Sequence, residues 1–283
     1  MKIPGDRRTR HRRITLIGLV NSMADRWPLT VRAWHYQLFG HGLCENTMKA
    51  YKQTIRDLTA LRNAGLVPWA AVSEHGRSIQ TLYKFEDARE YLEFEIESMK
   101  TGYQRCFLQN QEYDVRVVVE KLTMLDMIQA VTNPLCIPAD AISGHSSTTY
   151  VHSLAEQISA SKRATVLLIL SDYDWHGQQI ATSTENRIER YTDNAIIRRI
   201  ALTAEQVEEY SLPVSPDRSG HQAGVVELDA LSPENLESII MGGLSEWYDF
   251  EIADAERAIQ AREQRQIVGI CNGFLAQIAD SFN

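Results

Sequence analysis

Val117-Val-Val-Glu-Lys121 and Leu167-Leu-Ile-Leu-Ser-Asp-Tyr-Asp174 decide the reading of this chain. Both are apolar runs that end in acids. Residues 165–170 have no polar alternation, as expected of a strand buried on both faces. Around them the grammar alternates. A strand is expected at 115–119, a helix at 123–131, a strand at 135–142, a helix from about 150 to 161, a helix at 177–191 and a strand at 195–201. Such an alternation predicts βαβ units and a parallel sheet. In open parallel sheets ligands bind at the carboxyl ends of the strands, so Glu120 meets Asp172 and Asp174 if their strands are neighbours. Three carboxylates on one edge suit Mg²⁺, which takes protein carboxylates together with substrate phosphate oxygens. Such a metal stabilises the charge of an in-line phosphoryl displacement. Gly177-Gln178-Gln179 then opens a helix whose N-terminus could hold a phosphate. The bland reading of the same acids is that they cap helices and solubilise loops. A further strand is expected at 224–228, with helices near 233–241 and 246–266.

Upstream of this region the pattern is helical. Apolar periodicity at 14–24 is broken by Trp27-Pro28, Thr30 caps a second helix over 31–39, and a third runs from Asn46 or Thr47 to Asn63, closed by Ala64-Gly65. Met48, Tyr51, Ile55, Leu58 and Leu61 recur at helical spacing and are expected to face a core. Lys49, Lys52, Gln53 and Arg56 fall on another face, a candidate DNA-binding surface. Two β-like runs, 66–72 and 78–85, follow. Three short helices and a hairpin make the winged-helix pattern, in which the third helix enters the major groove. The alternative is a small helical bundle with a solvated basic face. Residues 86–100 read as an acidic amphipathic helix. The expected organisation is a basic, mobile arm at 1–13, a winged helix at 14–85, a connector at 86–113 and the parallel-sheet domain at 114–283.

The 283 residues carry a net charge of −8, but residues 1–63 hold +8 and the remainder −16. A basic head on an acidic body points to a polyanion site at one end. The four cysteines, Cys44, Cys106, Cys136 and Cys271, form no C-x-x-C pair and fit a reducing compartment. No signal peptide or membrane-length apolar run occurs, so a soluble, intracellular (cytoplasmic) protein is expected. The absence of Walker, G-x-G-x-x-G and G-x-S-x-G motifs argues against NTP hydrolysis and acyl chemistry.

One more pair stands out. Arg32 and Tyr36 are four apart and share one helix face. A tyrosine, with an ordinary pKa of about 10, needs a nearby cation or metal to attack a phosphodiester. The bland alternative is an aromatic in a core beside Trp34 and Phe39.

Taken together, these residues resemble the A subunit of type IIB topoisomerases (topoisomerase VI) and its meiotic double-strand-break relative, most nearly the short mini-A versions. That family joins a winged helix bearing the nucleophilic Tyr to a Toprim metal-binding domain. Arg32/Tyr36, with His35 in place of the usual preceding aromatic, match its tyrosine motif. Glu120, Asp172, Asp174 and Gly177 match its Toprim motif. Gly144-His145-Ser146-Ser147, Arg199 to Pro213 and Val226-Glu-Leu-Asp-Ala-Leu231 are further similar segments. Trp175-His176 departs from the usual Pro-containing turn, and the segment from Pro216 to His221 lacks a Lys and an Asp frequent in short relatives. The resemblance spans roughly residues 15–240. It implies transesterification: Tyr36 attacks DNA and stays joined to the 5′ phosphate, Arg32 holds the phosphate, and Glu120, Asp172 and Asp174 hold Mg²⁺ (or Mn²⁺). It also implies a homodimer on double-stranded DNA with each site shared between protomers, and a GHKL-type ATPase B subunit as partner. A Toprim nuclease using water and a non-catalytic DNA-binding protein are the alternatives.

Overall fold

A computed structural model describes residues 3–4, 6–73, 83–142, 148–217, 220–222 and 224–281. The fold is mixed α/β, built around a four-stranded, all-parallel sheet. Its strands are β1 (Asp114–Val119), β2 (Ala139–Ala141), β3 (Thr165–Leu170) and β4 (Ala195–Ala201), in the order β2-β1-β3-β4. Every residue of β3 is buried, and β3 lies between β1 and β4. An unbroken apolar run is the sequence such a central strand needs.

The crossovers are helices α5 (Leu125–Thr132), α6 (Thr148–Ala160) and α7 (Trp175–Ile188). One core layer joins Val118, Leu167 and Ile169 of the sheet to Val151, Leu154 and Ile158 of α6 and Ile188 of α7. A short helix, α8 (Ala204–Glu209), follows β4, and helix α9 (Pro233–Leu244) packs on α5 and β4. After β1 the chain moves to one flank, and after β3 it moves to the other. The order therefore reverses between β1 and β3, and this reversal opens a crevice at their carboxyl ends. Glu120 and Asp172 stand at that crevice.

The N-terminal helices are α1 (Arg7–Ser22), α2 (Val31–Gly40) and α3 (Met48–Asn63). Thr30 caps α2 as expected, accepting from Ala33 N, and of Asn46 and Thr47 it is Thr47 that caps α3, accepting from Ala50 N. Helix α3 ends at Ala64, and Gly65 follows with φ +68°. Leu16, Val20, Trp34, Leu38, Leu58 and Leu61 form the buried interior.

Several expectations are corrected. The basic segment does not stay an arm: Asp6 caps a helix that begins at Arg7, and both Arg12 and Arg13 pair with buried Asp57. Met48 and Ile55 are exposed rather than core, because the buried stripe of α3 runs through Thr54, Asp57, Leu58 and Leu61. Among the described residues, 66–72 hold a 3-10 turn (Trp69–Ala71) after Pro68 and a bridge from Val72 to Leu29 rather than a strand. The expected second hairpin run lies mostly outside the described residues, as do Gly144 to Ser147 and Arg218-Ser219. The expected strand at 135–142 shrinks to β2 because a 3-10 turn (Asn133–Leu135) and a left-handed Cys136 precede it. Residues 224–228 make isolated antiparallel bridges, Val226 to Tyr173 and Val225 to Ser215, instead of a full strand.

The chain divides into two compact units, Met1–Gly76 with Glu112–Trp247, and Arg77–Gln111 with Tyr248–Asn283. The second unit holds α4 (Ala88–Gly102), the helix expected as a connector, packed against α10 (Phe250–Ser281). Buried Glu256 gathers Arg105, Gln109 and Asn110, while Gln111 and Asp249 exchange hydrogen bonds at 2.7 Å. Among the described residues no helix is long and apolar enough to cross a membrane.

Candidate active site

The strand-end acids meet where the parallel register puts them. Val119 pairs with Leu170, and Glu120 N donates to Leu170 O at 2.9 Å. Asp172 N in turn donates to Glu120 Oε2 at 3.1 Å. The two acids, 52 residues apart, are thus tied across adjacent strand ends. Burial, then the charges of Asp172 and Asp174, push the Glu120 carboxyl above its ordinary pKa.

Each aspartate also has a structural bond. Asp174 caps α7, accepting from Gly177 N at 2.6 Å, so the helix N-terminus read as a phosphate holder is taken by its own cap. Asp172 Oδ1 accepts from Leu228 N at 2.8 Å, and Oδ2 pairs with Lys121 Nζ at 2.7 Å. Among the described residues, no three His, Cys, Asp or Glu side chains gather closely enough to hold a metal.

The ammonium of Lys121, the residue after Glu120, also lies 3.6 Å from Asp229 Oδ2. Burial works against this ammonium, but the charges of Asp172 and Asp229 outweigh it and keep the pKa above the ordinary lysine value. For Asp172 burial is the stronger influence. Its carboxyl is raised, because burial exceeds the help from Lys121 and the Leu228 N–H.

Helix α2 is pinned to the same region. Thr30 Oγ1, besides capping α2, donates to Asp229 Oδ1 at 2.9 Å. Two residues earlier Glu227 reaches Arg32 and Tyr36 together: the Arg32 guanidinium pairs with Glu227 Oε2, and Tyr36 Oη donates to that same oxygen at 3.5 Å. Tyr36 is therefore not a core aromatic. That place belongs to Trp34, fully buried with its Nε1 donating to Ala71 O at 2.9 Å. Tyr36, Arg32, Tyr51, Asp174, Trp175 and Glu227 line one cleft of about 730 Å³.

The cleft's electrostatics disfavour a free phenolate. Burial, then the charge of Glu227, push the Tyr36 hydroxyl well above an ordinary tyrosine, and Arg32 offsets this only in part. For Arg32, burial opposes the charge, but the hydrogen bond and charge of Glu227 hold it above the ordinary arginine value. His35 is buried and its pKa is lowered, first by burial and then by Arg32. The neutral ring contacts Thr54 Oγ1 at 3.2 Å and meets Tyr51 edge-on at 5.5 Å, so it fills the place of an aromatic.

The candidate DNA-binding residues stand apart from this cleft. Lys49, Lys52 and Arg56 are exposed on α3, while half-buried Gln53 donates to Asp57 Oδ1 at 3.2 Å. Lys49, Gln53 and Arg56 line a groove of about 740 Å³ together with His11 and Arg12.

Sequence reading assigned no role to Glu227, Lys121 or Asp229. The one available signal was the Glu-x-Asp spacing, which the fold places at the start of a 3-10 turn (Leu228–Ala230) with Glu227 at its N-cap. Compared with protein-family models and with curated proteins, the chain finds no match.

Proposed function

We propose that the chain is the DNA-cleaving A-type subunit of a type IIB topoisomerase-like complex. In this reading residues 14–85 act as a winged helix and the parallel-sheet region acts as a Toprim domain. The observation that carries the proposal is that Arg32 and Tyr36 share one cleft with Asp174, beside the strand-end acids Glu120 and Asp172.

Tyr36 Oη attacks a DNA phosphorus, the P–O3′ bond breaks, and the 5′ phosphate stays on Tyr36. Arg32 holds a non-bridging phosphate oxygen. The acids fit a hard divalent cation by donor type and by mutual repulsion, and Mg²⁺ commonly takes only one or two protein carboxylates. Glu120, Asp172 and Asp174 would hold Mg²⁺ or Mn²⁺, which supplies charge stabilisation to the phosphoryl displacement when bound. The exposed face with Lys49, Lys52 and Arg56, joined by Gln53, grips duplex phosphates. Homodimerisation and a GHKL-type ATPase partner complete the proposal.

The test incubates the protein with supercoiled DNA and Mg²⁺ or Mn²⁺, with and without the ATPase partner and ATP, and then denatures. Protein joined to DNA 5′ ends is expected for wild type and absent for Tyr36→Phe. Cutting that survives Tyr36→Phe but not Asp172→Ala would identify a water-using nuclease instead. Salt-dependent DNA binding with no cutting at all would leave a binding protein.

A further inference from the structure

The tyrosine has a cation beside it but also needs somewhere to send its proton. Among the side chains hydrogen-bonded to Tyr36 Oη, the acceptor is Glu227 Oε2, at 3.5 Å. Lengths of this order in an unliganded site tighten when substrate aligns the reacting groups. Glu227 is held in place by its neighbours: Val226 bridges Tyr173 just after β3, and Leu228 N bonds Asp172. These two ties hold the Glu227 segment against the carboxyl end of β3, where its carboxylate meets Arg32 and Tyr36 of α2.

We infer that Glu227 is the general base for Tyr36 and that binding of the scissile phosphate switches it on. Without DNA, Glu227 is committed to Arg32. A phosphate entering the cleft competes for the same guanidinium, whose planar fork suits phosphate as well as carboxylate. As Arg32 turns to the phosphate, Glu227 loses its counter-charge and becomes a stronger acceptor. The Tyr36 proton moves to Glu227 Oε2 as the Oη–P bond forms. The P–O3′ bond breaks with its electron pair on O3′, which takes a proton from water. In religation the protonated Glu227 returns its proton to the departing phenolate. The titratable and charged groups facing Glu227 are Arg32 and Tyr36 from α2, Lys121 after β1 and Asp172 after β3, with Asp229 two residues on in its own segment. The inference rests on the transesterase reading but fails separately from it.

The experiment measures the rate of Tyr36–DNA adduct formation in the full complex across pH, for wild type, Glu227→Gln, Glu227→Asp and Glu227→Ala. Loss of a general base lowers such rates by about 10²–10⁴-fold. Glu227→Gln is expected to fall in that range and to show a rate that climbs with pH where wild type levels off. Glu227→Asp should recover part of the rate. Formate or acetate should restore Glu227→Ala, and more basic carboxylates should do so more strongly. A DNA carrying sulfur in place of the bridging 3′ oxygen makes leaving-group protonation unnecessary. The Glu227→Gln defect should persist on it, whereas a residue serving the leaving group would be rescued. Unchanged or faster adduct formation by Glu227→Gln overturns the inference while the transesterase reading stands. Absence of any adduct in wild type overturns both.

Discussion

Gly177 stands so close to Asp172 that a Cβ at this glycine would lie 2.1 Å from the Asp172 carbonyl oxygen. The first turn of α7 is thus pressed against the strand end that carries the acids, and only glycine permits it. The same glycine donates its N–H to Asp174 Oδ1, and its carbonyl accepts from Ser171 Oγ at 2.8 Å. Gly177→Ala must push Asp172 and α7 apart, since the clash is with backbone. Overpacking of this kind costs about 1–3 kcal/mol. The expected outcome is a loss of that size in chemical denaturation together with weakened Mn²⁺ binding, read by electron paramagnetic resonance. An alanine variant of full stability and unchanged Mn²⁺ affinity would separate Gly177 from the site.

Glu120 makes a prediction about pH and metal. Its folded-state pKa is raised, by burial first and by the neighbouring aspartates second. The native state therefore holds this proton more readily than the unfolded chain. The stabilisation is present at low pH and is lost as pH rises from the ordinary carboxylate range through the raised folded value. Asp172 shifts in the same direction. Metal-free protein should accordingly show a falling contribution from these groups through that window, and Glu120→Gln should flatten it. Single stabilising substitutions commonly yield about 0.5–2 kcal/mol. Glu120→Gln is expected to gain an amount of that order at neutral pH without metal, and to lose most of the rise in Tm that Mg²⁺ gives wild type. A Tm rise with Mg²⁺ that is unaffected by the substitution would place the cation elsewhere.

What could be read from the chain divides by range. The sheet was legible because β3 is buried throughout, so its six residues carry no polar alternation and announce themselves. Parallel order put Glu120 and Asp172 at the same end of the sheet, while their adjacency hung on β1 and β3 being neighbours, which the fold supplies. Helix α3 was legible in extent through Thr47 and Gly65, but its buried stripe was misplaced. Asp57 reads as a solvent residue until Arg12 and Arg13, 45 and 44 positions earlier, neutralise it in the interior. For the same reason the arginines before Ile14 looked like an arm. Glu227 was illegible in its role because its partners, Arg32 and Tyr36, lie 195 and 191 residues away and its segment has no regular period. Long-range ionic ties leave no local pattern.

The Asp57 tie can be tested directly. Its side chain is almost fully buried and accepts from both Arg12 and Arg13, with Gln53 donating to it as well. Removing one partner of a buried ion pair leaves uncompensated charge and costs about 3–5 kcal/mol. Asp57→Ala is expected to destabilise the protein by that amount in urea unfolding. Lys49→Ala on the neighbouring exposed face should leave stability within about 0.5 kcal/mol while reducing the salt dependence of DNA binding. Equal effects of the two on stability would contradict the distinction drawn between tie and surface.

Arg32 separates charge from shape. A lysine there keeps the charge but loses the planar fork that can serve Glu227 and a phosphate in turn. Arg32→Lys is expected to hold DNA nearly as well as wild type, because the grip on the duplex is proposed for α3. Its adduct formation should fall by about 10²-fold or more, as for loss of one charge-stabilising donor. Comparable losses in DNA affinity and adduct rate would instead make Arg32 part of the duplex grip.

The division of the site between protomers is open to a mixing experiment. The cleft brings Tyr36 and Asp174 together within one chain, whereas the family resemblance implies a tyrosine from one protomer and acids from the other. In its own chain Tyr36 faces Glu227, Asp229 and Asp172, and its one offsetting cation, Arg32, is already paired. Mixed dimers of Tyr36→Phe and Asp172→Ala decide between the two arrangements. If sites are shared, one of the two sites in each mixed dimer combines an intact tyrosine with intact acids. If they are not shared, every site is defective. Neither variant alone should form adduct. Mixing is expected to restore cleavage of one strand, seen as nicked circles carrying protein on a single 5′ end. Mixtures that stay inactive, although subunit exchange is verified by differently tagged chains, would assign the whole site to one chain.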